Sequence, residues 1–228
     1  MANVAITGAG RGIGLELVRQ YAEAGDRIFA LCRSPDKAPE LHALADASGG
    51  KVSVHAMDVG DDASVKAAAA QTGDGSINIL LNVAGVIGGE KQGLEDHAWD
   101  EWQDAFNVMI IGPLRVMQAF LPRLGAGAKV INITSQLGAS TWPYGGHYAY
   151  GAAKAGLNRM MRSVALDVKD RGIVIGLVHP GWVKTDMGGS AADITSEESA
   201  SGIRQITADW TLEHSGDFLK WNGETHAW

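Results

Sequence analysis

Short apolar runs alternate along the chain with longer stretches in which apolar residues recur at helical spacing. Val4 to Ile6 is the first run, and it leads into a cluster of glycines. From Ile13 to Ala24 the positions Ile13, Leu17, Val18 and Tyr21 share one face, which predicts a helix. Arg27 to Cys32 reads as a second strand, and Pro35, Asp36 and Pro39 punctuate a turn into a helix over Glu40 to Ala47. Val52 to Met57, an Ala-rich helix from Ala63 to Gln71, and Ile77 to Val83 continue the alternation. Trp99 to Leu124 has the pattern of one long helix that Pro113 kinks or breaks, because proline lacks the donor that an interior helical position needs. Lys129 to Thr134, Ile173 to Val178 and Phe218 to Trp221 complete about seven strands, with a helix from Tyr150 to Asp167 between the first two of these. Strands separated mostly by helix-length connections predict an α/β fold, doubly wound, with a mostly parallel sheet covered on both faces. No linker or repeat divides the chain, so residues 1–228 read as one domain. The Ser-, Ala- and Gly-rich segment over 188–202 reads as a short substrate loop, or a short helix, beyond the carboxyl ends of the strands, where ligands bind in such sheets.

Composition sharpens this picture at three points. Glycine numbers 30 among 228 residues while proline numbers 6, so the surplus calls for tight turns or a close ligand approach rather than a low-complexity chain. The net charge of −7 and the absence of basic clusters argue against nucleic acid or an anionic membrane as a partner. Cys32 is the only cysteine, and His42, His55, His97, His147, His179, His214 and His226 show no metal-ligand spacing, so neither a disulfide nor a metal is expected. With no basic, apolar leader at the start and no run of about 18 apolar residues, the expected setting is cytoplasmic.

Candidate chemistry begins at Thr7-Gly8-Ala9-Gly10-Arg11-Gly12-Ile13-Gly14, between the first strand and the first helix. Glycines here let backbone pass close to a pyrophosphate, whose charge is met by amides and by the positive end of the helix. Gly8, Gly12 and Gly14 fit G-x-x-x-G-x-G rather than G-x-G-x-x-G, because position 13 is Ile. The second strand ends Ala30-Leu31-Cys32-Arg33-Ser34, with no acid at its tip to hold an adenosine ribose. Arg33 instead suits a 2′-phosphate, with Arg11 stacking or pairing beside it, so the balance favours NADP(H); the alternative is a solvated surface arginine. Farther on, Tyr150-Gly151-Ala152-Ala153-Lys154 places a phenol and an ammonium on one helix face. The cation favours the phenolate, so Lys154 would draw the Tyr150 pKa down from its usual value of about 10, as suits a general acid for carbonyl reduction. Ser135, at the end of the strand from Lys129, supplies a hydroxyl for a substrate carbonyl, or else caps a turn.

In order, the Thr7 to Gly14 loop, Asp58-Val59, Asn107, Ser135, Tyr150 with Lys154, and Pro180-Gly181 followed by Thr185 resemble the short-chain dehydrogenase/reductase family over essentially the whole chain. Within it the chain looks most like carbonyl-reductase and C-factor-like bacterial members, on Ala149-Tyr150, the run His179 to Gly189, and Gly216-Asp217-Phe218-Leu219. The resemblance implies a Rossmann-type domain. It also implies that Tyr150 exchanges the proton, Ser135 holds the carbonyl oxygen, Lys154 binds the nicotinamide ribose and tunes Tyr150, and Asn107 positions Lys154 and a water. Asp58 would meet the adenine, Val59 would pack on it, and Val183 and Thr185 would contact the nicotinamide end. One departure stands out: the family's Asn-Asn-Ala-Gly reads Asn82-Val83-Ala84-Gly85 here, which removes a side chain that touches the adenosine ribose and leaves the backbone at Ala84 and Gly85. Trp142 and Trp182 are candidate walls of a substrate pocket, and His147 either lines its mouth or faces solvent. Helices at Trp99 to Leu124 and Tyr150 to Asp167 often pair between subunits in the family, so a homo-oligomer, dimer or tetramer, is implied. The expected function is NADP(H)-dependent interconversion of a small or medium carbonyl compound and its alcohol; the competing reading is a nucleotide-binding signalling protein of C-factor type without significant turnover.

Overall fold

The computed structural model describes residues 1–88, 94 and 97–228. Seven strands form one sheet in the order β3-β2-β1-β4-β5-β6-β7: β1 Asn3–Thr7, β2 Arg27–Cys32, β3 Val52–Ala56, β4 Ile79–Asn82, β5 Lys129–Ile133, β6 Val174–His179 and β7 Phe218–Lys220. All the pairings between these strands are parallel. Strand order reverses direction between β1 and β4, and it is at such a switch point that an open α/β sheet parts into a crevice.

The period-2 alternation of side chains divides the core into two layers. Ala5, Phe29, Leu31, Leu80, Val130 and Ile175 face one side, where α3 (Asp62–Gln71), α5 (Gly112–Phe120) and α6 (Tyr148–Asp167) cover them with Val65, Val116, Phe120, Leu157 and Met161. Val4, Ile6, Ile28, Ala30, Leu81 and Ile131 face the other, beneath α1 (Gly12–Glu23), α2 (Pro39–Ala47) and α7 (Ser196–Asp209). Each fully buried side chain such as Phe120 or Leu17 contributes about 1.5–3 kcal/mol through removal of apolar surface from water. Two asparagines inside the sheet bond across strands: the Asn82 amide donates to Asn132 Oδ1 at 2.9 Å, and the Asn132 amide donates to the Gly176 carbonyl at 3.3 Å.

Two segments differ from the sequence expectation. The long helix does not break at Pro113 itself. Helix α4 (Trp99–Phe106) passes into a π turn over Asn107–Ile111, in which the Gly112 amide bonds the Asn107 carbonyl, and α5 follows with Pro113 in its first turn. The wider turn accommodates the proline ring and its missing donor upstream of the residue that causes them. By length and composition the helical run Trp99–Arg123 is apolar enough to cross a membrane, although its apolar residues are interrupted by polar ones; Met109, Val116, Met117 and Phe120 are buried in the core. The segment 188–202 also divides. Residues up to Asp193 are mostly loop, but α7 begins at Ser196 with a capping box, Thr195 Oγ1 accepting from the Glu198 amide at 3.1 Å and Glu198 accepting from the Thr195 amide at 2.8 Å. Ala200 and Ile203 are then buried beside α1.

Under the start of α1 backbone meets backbone, and a Cβ on Gly14 would stand 2.2 Å from the Gly8 carbonyl oxygen. Gly14→Ala therefore lowers unfolding free energy by about 2 kcal/mol or more. Gly75→Ala, in open space without a positive φ, changes it by no more than about 0.5 kcal/mol in denaturant titrations.

Candidate active site

The site is assembled at the carboxyl ends of β1, β4, β5 and β6. Thr7 closes β1, and its Oγ1 accepts from the amides of Val83 at 3.1 Å and Ala84 at 3.2 Å, tying the tail of β4 to the glycine loop. Gly8 has φ 68, and a Cβ there would stand 2.8 Å from Ala84 Cα and N. Gly12 has φ 56 and lies against the Thr185 methyl, 3.3 Å from where its Cβ would be. Gly8, Gly12 and Gly14 are thus required by backbone geometry or close approach, whereas a Cβ on Gly10 would make ordinary contacts at 3.5 Å with Ala38 and Cys32. Arg11 stands at the N-cap of α1 without capping it by its side chain. The first-turn amides, Ile13 among them, remain free to meet an anion at the positive end of the helix dipole.

The adenosine side is mixed. Arg33 follows β2, exposed, with no hydrogen-bond partner among the described residues. Asp58 follows β3 with its Oδ1 accepting from the Gly60 amide at 2.8 Å. One expectation is corrected. Arg11 does not lie beside Arg33's position as a free second cation: its guanidinium pairs with Asp186 at 3.1 Å across the mouth of the groove, both side chains 78% exposed. The Val59 side chain is buried and packs on α5, 3.1 Å from where a Cβ on Gly112 would stand. Val83 likewise packs into the layer beneath α1, and Gly85 brings the β4 tail to within 3.8 Å of Lys154 Nζ, measured from its would-be Cβ.

Ser135, Tyr150 and Lys154 meet as expected. Ser135 stands two residues past β5, its Oγ accepting from the Leu137 amide at 3.2 Å, and its hydroxyl faces the Tyr150 phenol. The following turn packs under α6 so closely that a Cβ on Gly138 would lie 2.8 Å from the Lys154 carbonyl carbon. Lys154 Nζ donates to the Ile133 carbonyl at 2.7 Å and stands 5.6 Å from the centroid of the Tyr150 ring. Burial pushes the Lys154 ammonium down to about 8, and burial pushes the Tyr150 phenol up, the Ser135 hydroxyl opposing it. The expected depression of the phenol by Lys154 is therefore absent in the protein alone: desolvation of both groups outweighs their attraction. Asn107 is turned away from Lys154. Its amide donates to the Gly60 carbonyl at 2.9 Å, and its Oδ1 accepts from Arg115 at 3.2 Å, because the π turn directs it toward the segment before α3.

The loop after β6 supplies the remaining wall. Pro180 accepts from the Ser199 hydroxyl at 2.7 Å, and Gly181 has φ 87 with no room for a Cβ beside Ile194. Val183 is buried and bridges to Ile194, while Thr185 Oγ1 accepts from the Gly188 amide at 3.2 Å. Trp182 is half exposed, its indole N–H donating to the Gly188 carbonyl at 2.9 Å. Trp142 is partly buried beside Tyr144, ring centroids 5.2 Å apart. His147 is exposed at the start of α6 in the left-handed region, φ 50, and does not cap the helix with its side chain. Sequence reading missed two participants: Thr7 as the clamp on β4, signalled only by a hydroxyl just before the loop, and Asp186, signalled by an acid after Pro180-Gly181.

Lys154 binds its proton more weakly folded than unfolded, so the unfolded chain holds more protons between pH about 8 and about 10.5. Stability relative to Lys154→Met therefore rises with pH through that window, by up to about 3 kcal/mol, as read from denaturant midpoints at each pH.

Comparison with known proteins agrees with this geometry. The short chain dehydrogenase family model matches residues 2–195. C-signal of Myxococcus xanthus is 38% identical over 157 residues, which are 68% of this chain and 94% of that protein. The NADPH-bound carbonyl reductase from chicken fatty liver superposes with a TM-score of 0.92 at 34% identity, covering 100% of this chain and 99% of that one. A carbonyl reductase from Pseudomonas aeruginosa in complex with NADP gives 0.90 at 28% identity with full coverage of both chains. A parallel seven-strand sheet, a glycine cradle at its switch point and a Ser-Tyr-Lys cluster beside it coincide with a match over most of the sequence, and the chain belongs to the short chain dehydrogenase family.

Proposed function

We propose that the chain is an NADP(H)-dependent oxidoreductase that reduces a small or medium aldehyde or ketone to an alcohol, or runs the reverse. The observation that carries this reading is the convergence of the Ser135 hydroxyl, the Tyr150 phenol and Lys154 one helical turn on, with the uncapped amides of α1 nearby. The residues present fit a dinucleotide: Gly8, Gly12 and Gly14 clear the cradle, the free amides of α1 suit a pyrophosphate, and the exposed Arg33 suits a 2′-phosphate. The NADPH and NADP held by the chicken and Pseudomonas reductases support that choice.

When bound, the nicotinamide supplies or accepts a hydride at the carbon of the carbonyl. The chain manages the oxygen and its proton. Ser135 and Tyr150 donate hydrogen bonds to the carbonyl oxygen, which polarises the bond; as negative charge develops there, Tyr150 gives up its proton. A phenol kept protonated by burial is fit for this role as an acid, and the Lys154 cation, in a site shielded from water, stabilises the phenolate left behind. The Lys154 ammonium would also donate to ribose hydroxyls, beside Gly85. Trp182, held by Gly188, and Trp142 offer apolar surface for the substrate's remaining groups. A second reading, in which nucleotide is bound for signalling and not turned over, draws on the likeness to C-signal.

Tyr150→Phe separates the two. It lowers turnover of aldehydes by at least about 100-fold while the NADPH dissociation constant stays near that of the wild type; wild-type turnover in the variant, or none in the wild type across a carbonyl panel, refutes the oxidoreductase reading. Arg33→Asp, which replaces a cation by an anion at the proposed 2′-phosphate position, weakens NADPH at least about tenfold more than NADH in fluorescence titrations. An unchanged preference refutes Arg33 as the discriminating group.

A further inference from the structure

Beyond Ser135 the structure holds a cleft of about 340 Å³, within the size range of small-molecule sites. It runs from the turn after β5 to the last residues of the chain. Gln136 and Thr141 line one side, Thr225 and Lys220 the other, and Trp142 and His226 add flat apolar surface. Gln136, at the near end of the cleft, directly follows Ser135 in the chain, so the cleft begins one residue beyond the group proposed to hold the carbonyl oxygen.

The far wall is a built element. Lys220 closes β7, its amide bonding the Glu224 carbonyl at 2.7 Å, and Leu219 pairs antiparallel with Thr225, so the chain turns back on itself. The return is anchored by His226, stacked on Phe218 at 4.5 Å and edge-on to buried His179 at 5.6 Å, and by Arg162 over the Trp228 ring at 4.9 Å. The electrostatics of this corner are one-sided. Burial, reinforced by His226 and Lys220, pushes His179 down to about 4, and none of the described residues lining the cleft carries a carboxylate. In a chain of net charge −7 that is a local exception. The Lys220 ammonium is held at 2.7 Å by Glu224, which does not itself line the cleft, and can be shared with or surrendered to an arriving anion.

The geometry points to this cleft as a specificity subsite that takes the remote end of the substrate, an aromatic carbonyl compound bearing a carboxylate, with the ring against Trp142 and the carboxylate on Lys220. The proposal rests on the carbonyl-reductase reading. Glu224 is the intramolecular competitor for the same cation, so removing Lys220 and removing Glu224 act in opposite directions.

The test compares para-carboxybenzaldehyde with its methyl ester, and the same pair extended by one phenyl ring, in NADPH-dependent reduction. In the wild type kcat/KM is higher for the acid than for the ester in at least one pair. Lys220→Gln lowers that acid-to-ester ratio about tenfold, the scale of one charge-assisted hydrogen bond, and Glu224→Gln raises it. Calorimetric binding of the corresponding alcohols to the NADP-loaded protein reads the same ratio without turnover, so an inactive protein refutes the function while leaving the subsite measured. A ratio near one in the wild type at both lengths, or a ratio that neither variant moves, overturns the subsite.

Discussion

Everything at the candidate site depends on how closely backbone approaches backbone where β1 gives way to α1. The Gly8 carbonyl lies where a side chain at Gly14 would be, and Ala84 where a side chain at Gly8 would be. Three pieces of chain, the glycine loop, the head of α1 and the tail of β4, are drawn together by the absence of Cβ atoms and locked by one hydroxyl, that of Thr7. Because the sheet changes winding direction between β1 and β4, this contact fixes the floor of the crevice that opens between them. Ser135 and the Pro180 loop stand on the next strands over, so their distance from the cradle follows from strand spacing rather than from flexible linkers.

The electrostatics of the cluster are those of a dry site. Lys154 is nearly without solvent contact and donates to the Ile133 carbonyl, and burial favours the protonated Tyr150 phenol, opposed by the Ser135 hydroxyl. Charges desolvated in this way are costly at rest and interact strongly once an opposite charge forms nearby. The alternating arrangement suits transfer of a proton at one atom without rearrangement of the scaffold.

Much of the fold was legible because the patterns are local. Arg27–Cys32 was bounded correctly as a strand from its apolar run and flanking turn residues, and the period-2 division of the core follows from the same runs. The triad of Ser135, Tyr150 and Lys154 was legible from spacing on one helix and one strand end. What failed was non-local. Desolvation set the direction of the Tyr150 shift, and no spacing rule reports burial. Asn107 is committed to Gly60 and Arg115. The small polar residues of 188–202 left loop and short helix open; the capping box of Thr195 and Glu198 starts α7 within that window, and Ile203 and Ile206, just past it, supply its apolar face.

The π turn between α4 and α5 inserts one residue into what would otherwise be a continuous rod. A single extra residue rotates everything beyond it by about 100° about the helix axis relative to a regular helix, since each residue advances an α-helix by that angle. The segment thus works as a phase shifter: Trp102 and Phe106 upstream turn toward Ala149 and Tyr150 on α6, while Val116 and Phe120 downstream turn toward the sheet. One helix serves the core with one half and the rim of the site with the other, and the offset between the two is stored in a single carbonyl that skips a turn.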